Sequence, residues 1–223
     1  MSEAVRTGPN VQNIGNYDTL ANLNTLRSAA NYSPGTMAYT ADNGWVFSDG
    51  VAWRTIFGEQ FAALTATYTL TSTTNSQALF NVPANGALAL PALTSYFFEC
   101  FFSLSSMSAT SGNMGFDILG AGTATLTSAA WFSSGFDGTT QTTPSANSGI
   151  FSATNANAGD IVVAGTGTAV SAYIEGIFRV NAAGTIIPSV KLTTAATAVV
   201  GVNSFFRCRP IGSNTVTTVG NWS

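Results

Sequence analysis

The sequence predicts an all-β chain, a small N-terminal β-meander followed by a jelly-roll sandwich that hides surface against copies of itself. Three observations lead there. Only 8 % of residues are charged, while 45 % are hydrophobic and 11 % aromatic; an ordinary globular domain carries roughly 25 % charge. Between Gly35 and Gly58, three short apolar runs are divided by two tight-turn sequences. From Phe61 onward, long β-prone runs alternate with clusters of Gly, Asn and Pro, and about eight or more strands at such spacing make a sandwich or jelly roll. No fixed internal period points to a solenoid or propeller.

The elements follow in chain order. Residues 1–34 form an N-terminal arm, polar through about residue 17 and interrupted by Gly8-Pro9 and Gly15. A short helix is expected from Asp18 as N-cap, through Leu20, Leu23 and Leu26, ending near Ala30 before Ser33-Pro34-Gly35. Residues 35–60 hold the meander: Met37–Thr40, Trp45–Phe47 and Val51–Ile56, separated by Asp42-Asn43-Gly44 and Ser48-Asp49-Gly50. Both separators supply positive φ at low cost. About 25 residues cannot bury a core unaided, so this module must lean on its neighbours or on another protein.

Residues 61–223 form the sandwich, with strands expected near 65–71, 77–82, 95–104, 114–119, 123–132, 148–153, 160–165, 171–180, 185–192 and 203–210. Residues 136–149 read as a polar rim loop, and the end from Ile211 as a polar tail. Within Tyr173–Leu192, period-two alternation puts Tyr173, Glu175, Ile177 and Arg179 on one face and Ile174, Gly176, Phe178 and Val180 on the other. After Asn181-Ala182-Ala183-Gly184, residues Ile186, Pro188, Val190 and Leu192 share a face, opposite Thr185, Ser189 and Lys191. This pattern predicts a β-hairpin with its charges on one face of one sheet.

The few charges sit inside aromatic runs. Glu99 lies between Phe97 and Phe101 in SYFFECFFSL, and Arg207 and Arg209 share a face with Phe205 in NSFFRCRPIG. The first and last strands of a jelly roll are neighbours, so Glu99 should face Arg207 or Arg209, with Glu175 and Arg179 joining them. Two readings stand side by side. The face is an ordinary solvated sheet, or it is a subunit interface where ion pairs fix register. The second is favoured by the aromatic content and by a chain with one lysine, Lys191, because interfaces favour aromatics and Arg over Lys.

Several function classes are set aside. Net charge is −3, and no Lys or Arg occurs between Arg54 and Arg179, so no basic stripe exists for nucleic acid. No run of roughly 18 apolar residues is present to span a membrane as a helix, nor are the aromatic girdles of a membrane barrel evident. The start, MSEAVRTGPN, has no apolar core and is not a secretory signal. The fifteen Phe residues argue against disorder. The chain has no histidine, which removes the usual agent of zinc binding and of triad catalysis. Cys100 and Cys208 sit in apolar strands and read as buried free thiols. Asp117, Asp137 and Asp160 are isolated in turn-like contexts, so neither a glycosidase pair nor a calcium cluster is expected. Trp131 and Phe132 are read as core or interface residues rather than as a sugar platform. No enzyme activity, metal or cofactor is expected.

Tyr173, Glu175, Gly176, Ile177 and Arg179, with Glu99, Phe206 and Arg207, resemble the pattern of a C-terminal domain found in many tailed-phage virion proteins. That domain is similar to trimeric jelly rolls of the tumour-necrosis-factor and C1q type. The match covers roughly residues 95–210. GTMAYTADNGWVFSDGVAWRTI resembles a module near the N-termini of phage fibre and decoration proteins, carried by Ala38, Tyr39, Asp42, Trp45, Ser48, Asp49, Gly50, Trp53 and Arg54. No long stalk separates the module from the domain, which favours a short knob over a long fibre.

The resemblance implies a structural virion protein: a homotrimeric capsid decoration (cement) protein or short head fibre, made in the host cytoplasm and placed on the capsid exterior. Its trimer interface would comprise Phe97, Glu99, Phe101, Tyr173, Glu175, Arg179, Phe205, Arg207 and Arg209. Tyr39, Trp45, Phe47, Trp53 and Arg54 would attach it to the major capsid protein or another virion protein. An alternative is the receptor-binding tip of a short tail fibre recognising bacterial surface glycan. A further one is a non-viral adhesin or spore-coat domain of the same fold.

Overall fold

The structure is a computed structural model, and it describes residues 13–17, 19–41, 44–48, 50, 52–55, 58–81, 86–110, 112–137, 149–153 and 168–215. The chain divides into two compact units, 1–59 and 60–223. The described parts are dominated by β-strands, as the sequence predicts.

In the first unit, strand β1 (Asn13–Tyr17) is followed by helix α1 (Leu20–Leu26), β2 (Met37–Thr40), β3 (Gly44–Ser48) and β4 (Trp53–Thr55), and the sheet order is β1-β2-β3-β4. The meander therefore gains a fourth strand: β1 pairs with β2 in parallel, so the last residues of the expected arm belong to the sheet. The helix is shorter than expected and starts one position later. Thr19 is its N-cap, its hydroxyl oxygen accepting the Asn22 N–H at 3.1 Å. After Leu26 the chain tightens into a 3₁₀ turn at Ala29–Asn31. Side chains from the sheet take the carbonyls there. The Trp53 indole donates to the Arg27 carbonyl at 2.8 Å, and the Ser48 hydroxyl donates to that of Ala29 at 2.9 Å. These bonds satisfy groups that a helix end leaves open.

Leu23, Ala29, Ala38, Val46 and Trp53 form the buried cluster between helix and sheet. The meander thus leans on its own helix. At the second turn Gly50 has φ +90°, and a Cβ there would meet Pro34 Cγ at 3.3 Å, so both conformation and space select glycine. Asp42, Asn43, Asp49 and the expected third-run residues Val51 and Ile56 lie outside the described residues.

The second unit runs β5 (Gln60–Ala63), β6 (Tyr68–Thr69), β7 (Gln77–Ala78), β8 (Leu88–Leu90), β9 (Thr94–Ser105), β10 (Met114–Asp117), β11 (Thr125–Asp137), β12 (Gly149–Ala153), β13 (Val170–Ala182), β14 (Gly184–Ile186), β15 (Ser189–Leu192), β16 (Val199–Val200) and β17 (Phe205–Ser213). The large sheet is ordered β12-β11-β13-β9-β17-β5, and the far end of β9 pairs with β16, which pairs with β6. A smaller sheet, β10-β15-β7, supplies the facing layer, and β14 and β8 form a separate ribbon. Phe98 is the hub of the core. Its ring lies 5.7 Å from Phe206, 5.8 Å from Phe178 and 6.3 Å from both Trp131 and Phe116, the last on the opposite sheet. Alternation of buried and half-buried residues along β9 and β13 is the signature of a sheet packed on one side.

Three strand expectations need correction. The expected hairpin across Tyr173–Leu192 is not one. β13 pairs with β11 and β9, whereas β14 pairs with β8 and β15 pairs with β10 and β7. The chain crosses from the large sheet to the other elements at Ala183–Gly184, where a Cβ on Gly184 would sit 2.4 Å from the Ala124 nitrogen. Pro188, which has no N–H to give a ladder, separates β14 from β15. Lys191 consequently lies on the smaller sheet, apart from the charges of β13. The runs expected at 65–71 and 77–82 hold only β6 and β7, and β5, β8 and β16 were not anticipated; each is four residues or fewer. The strand expected at 160–165 lies outside the described residues.

Candidate functional site

Two sheet faces present the residues singled out in the sequence. The first is the outer face of the large sheet. Register places Glu175, Glu99 and Arg207 side by side on β13, β9 and β17, flanked by Phe132 on β11 and Phe61 on β5. The adjacent row holds Tyr173, Phe101 and Phe205, and on the other side Ile177, Phe97 and Arg209 stand in line. Arg179 lies one row further, opposite Ser95. All nine expected interface residues therefore share one face.

The centre of this face is ionic. Arg207 Nε donates to Glu99 Oε2, and the pair is lopsided in exposure: 48 % for the Arg207 side chain, 17 % for that of Glu99. The Arg207 hydrogen bond holds the Glu99 carboxyl below the usual carboxylate range, against desolvation and with a further contribution from Tyr173. The Tyr173 hydroxyl lies 3.0 Å from Glu99 Oε1 and 3.2 Å from Glu175 Oε2. Desolvation, then the hydrogen bond to Glu99, pushes its pKa up to about 12. A phenol has one proton, so Tyr173 can satisfy only one of these carboxylates at a time. Glu175 stands directly opposite Glu99 across the strands, a like-charge placement that disfavours the sheet.

The other two cations rest on neutral groups, Arg209 also attracting Glu99 through space. Arg209 sits 5.5 Å over the Phe97 ring centroid, and Arg179 Nη1 donates to the Asn214 carbonyl at 3.1 Å. Around this core the apolar side chains remain open: Phe61 is 60 % exposed, Phe132 43 % and Ile177 40 %. Phe205 stacks with Phe61 at 6.0 Å and lies 6.3 Å from Phe101. Exposed aromatic side chains are thus grouped on one face of the unit.

The second surface is the outer face of the four-stranded sheet. Tyr39 and Trp45 pair across β2 and β3, 5.6 Å apart and edge to face, at 38 % and 43 % exposure. Phe47 stands between Met37 and Arg54 in the same layer. Trp53 does not belong to this surface. It is buried against Leu23 and Ala29 on the inner side, because β4 alternates and Trp53 takes the phase opposite to Arg54. Its role is to hold the helix end.

Some contributors escaped the sequence reading. Phe61 was missed because β5 has only four residues and precedes the first run long enough to show alternation. Trp131 and Phe132 read together as core or interface, and alternation separates them, sending Trp131 inward and Phe132 outward. The juxtaposition of Glu99 with Glu175 depends on strand order and has no local signal. Asp117 acts within a turn: one carboxylate oxygen accepts the Leu119 and Gly120 N–H groups, and the other accepts the Ser76 hydroxyl. The side chain of Asp137 and all of Asp160 lie outside the described residues. Cys100 and Cys208 are buried free thiols on adjacent strands, Cys100 opposite Phe206 and Cys208 opposite Phe98, and burial pushes the Cys100 thiol pKa up.

Comparison with protein-family models and with curated protein sequences finds no match. Among solved structures, the infectious bursal disease virus VP2 subviral particle aligns at 13 % identity and a TM-score of 0.15, over 76 % of this chain and 48 % of that one. The structure of the infectious bursal disease virus Gt strain aligns at 12 % identity and a TM-score of 0.14, over 83 % of this chain and 54 % of that one. The chain spans about half the length of both, and at these scores the likeness carries no argument about fold or role.

Proposed function

We propose that the protein is a structural virion protein of a tailed phage, a homotrimeric capsid decoration protein or short head fibre on the capsid exterior. One observation carries the structural half of this reading. The outer face of the large sheet exposes Phe61, Phe132 and Ile177 around the Glu99–Arg207 pair, a composition suited to burial against further copies of the chain. The phage assignment rests on the resemblance of the Tyr173–Arg179 strand and of the Gly35–Ile56 module to virion proteins. The face bearing Tyr39, Trp45, Phe47 and Arg54 is assigned to the shell, where the partner is the major capsid protein or another virion protein. The role is one of assembly, with no chemistry to perform.

Light scattering of the purified chain tests the oligomer: the expected mass is three times 23.0 kDa, and a monomer at micromolar concentration overturns it. Localisation by cryo-electron microscopy of intact particles tests the placement. Density on the shell supports the decoration reading. Density at the tail supports the alternative, a receptor-binding tip for bacterial surface glycan, for which the exposed Tyr39–Trp45 pair would offer aromatic surface.

A further inference from the structure

The ionic groups on the large-sheet face do not balance within one chain. Glu99 has its cation in Arg207. Among the described residues, Glu175 has the Tyr173 hydroxyl, which it shares with Glu99. Arg209 lies over the Phe97 ring and feels Glu99 only through space, while that carboxylate is hydrogen-bonded to Arg207. Among the described residues the face is therefore left with a carboxylate lacking a bonded cation and a guanidinium lacking a bonded anion, both set among exposed aromatic side chains. They are not paired with each other in the same chain. Glu175 lies on β13 and Arg209 on β17, with β9 between them, and Arg209 is aligned with Ile177 through Phe97, two residues along from Glu175. Two strand spacings alone amount to roughly 10 Å.

We infer that Glu175 of one copy pairs with Arg209 of the next, in a closed ring where the β11–β13 side of one face packs against the β17–β5 side of its neighbour. This rests on the reading of the face as a self-association surface and specifies its register. The occupant is a second copy because the surface is complementary to itself: the unmatched negative group and the unmatched positive group lie on opposite sides of one face. Each side also carries its own exposed aromatic, Phe132 beside Glu175 and Phe61 on the strand next to Arg209. Two different patches meeting head to tail make a heterologous interface, which closes as a ring when the rotation permits. Pairing Glu175 with a guanidinium also relieves its opposition to Glu99, so the cluster that is frustrated in one chain becomes matched in the assembly.

The test is a charge-reversal cycle on the full chain, followed by sedimentation and circular dichroism. Glu175→Arg and Arg209→Glu should each raise the dissociation constant by about tenfold or more, and the double variant should recover most of that loss. Should a single reversal fail to fold, Glu175→Gln and Arg209→Gln serve in its place, each weakening assembly. A double variant carrying Glu175→Cys and Arg209→Cys supplies an independent readout. The two positions are too far apart in one chain for a disulfide, so oxidation should yield covalent multimers. An oligomer that withstands both reversals unchanged, or a double variant no better than either single one, overturns the pairing while leaving self-association intact. A wild-type monomer overturns both.

Discussion

The two exposed aromatic faces differ in one respect that matters more than their likeness. Both set aromatic rings around an arginine on the open side of a sheet whose other side is buried. On the large sheet the rings surround charges of both signs, Glu99, Glu175, Arg207 and Arg209. On the four-stranded sheet, among the described outward residues, Arg54 is the charged one beside Met37, Tyr39, Trp45 and Phe47. A face with both signs can complement another copy of itself. A face with one sign places like charges together when two copies meet, and so suits a foreign partner. On the proposed reading, the difference separates assembly from attachment within one chain.

The sharpest way to break this division is to remove residues 1–59. The two units have separate buried clusters, so the remaining chain should keep its oligomeric state, at three times its own shortened mass in light scattering, and lose particle binding completely in a co-sedimentation assay. Retained binding would move attachment to the sandwich. Next in size are single truncations on each face. Trp45→Ala should weaken particle binding by about tenfold or more and leave the oligomer unchanged, whereas Phe205→Ala should do the reverse, as expected for aromatic anchors. Identical effects from the two variants would erase the distinction.

Smaller effects refine the ionic centre. In the dissociated chain Arg207→Ala should cost about 1 kcal/mol or less in urea unfolding, because the half-exposed guanidinium keeps its contact with water. The folded Glu99 carboxyl titrates below its unfolded value, so its contribution is present above the ordinary glutamate range and fades as pH falls through the folded value. Arg207→Ala should flatten that acid limb. Smallest is the effect of Tyr173→Phe. A phenol raised to about 12 in the folded protein favours folding below its ordinary value, a contribution lost as pH rises through about 12. Tyrosinate absorbance should lose a late-titrating phenol on Tyr173→Phe; an unchanged titration curve would place the shift on another tyrosine.

Much of this architecture was legible from pattern. Alternation along β9, β13 and β17 assigned each side chain to a face, and the adjacency of the first and last long strands placed Glu99 against Arg207 or Arg209, of which the register selects Arg207. These signals survive in a lone sequence because a period of two along a long strand is a local property. Very short strands such as β5 and β16 leave too few residues to show it. Trp53 illustrates another limit: aromatic content marked it as an anchor, but only its phase within a strand of three residues shows that it points inward.

The amino-acid order alone determined the fold class, the two-part organisation expected of the chain and the faces of the long strands, because composition, turn residues and periodicity act over a few neighbouring positions. Tertiary structure decided which strands are neighbours. It split the apparent hairpin between two sheets, set Glu175 against Glu99 with one tyrosine proton between them, and left Arg209 over a ring two strands away. Strand partners are chosen by the closure of the whole core, where burying Phe98 among Phe116, Phe178 and Phe206 outweighs any local preference.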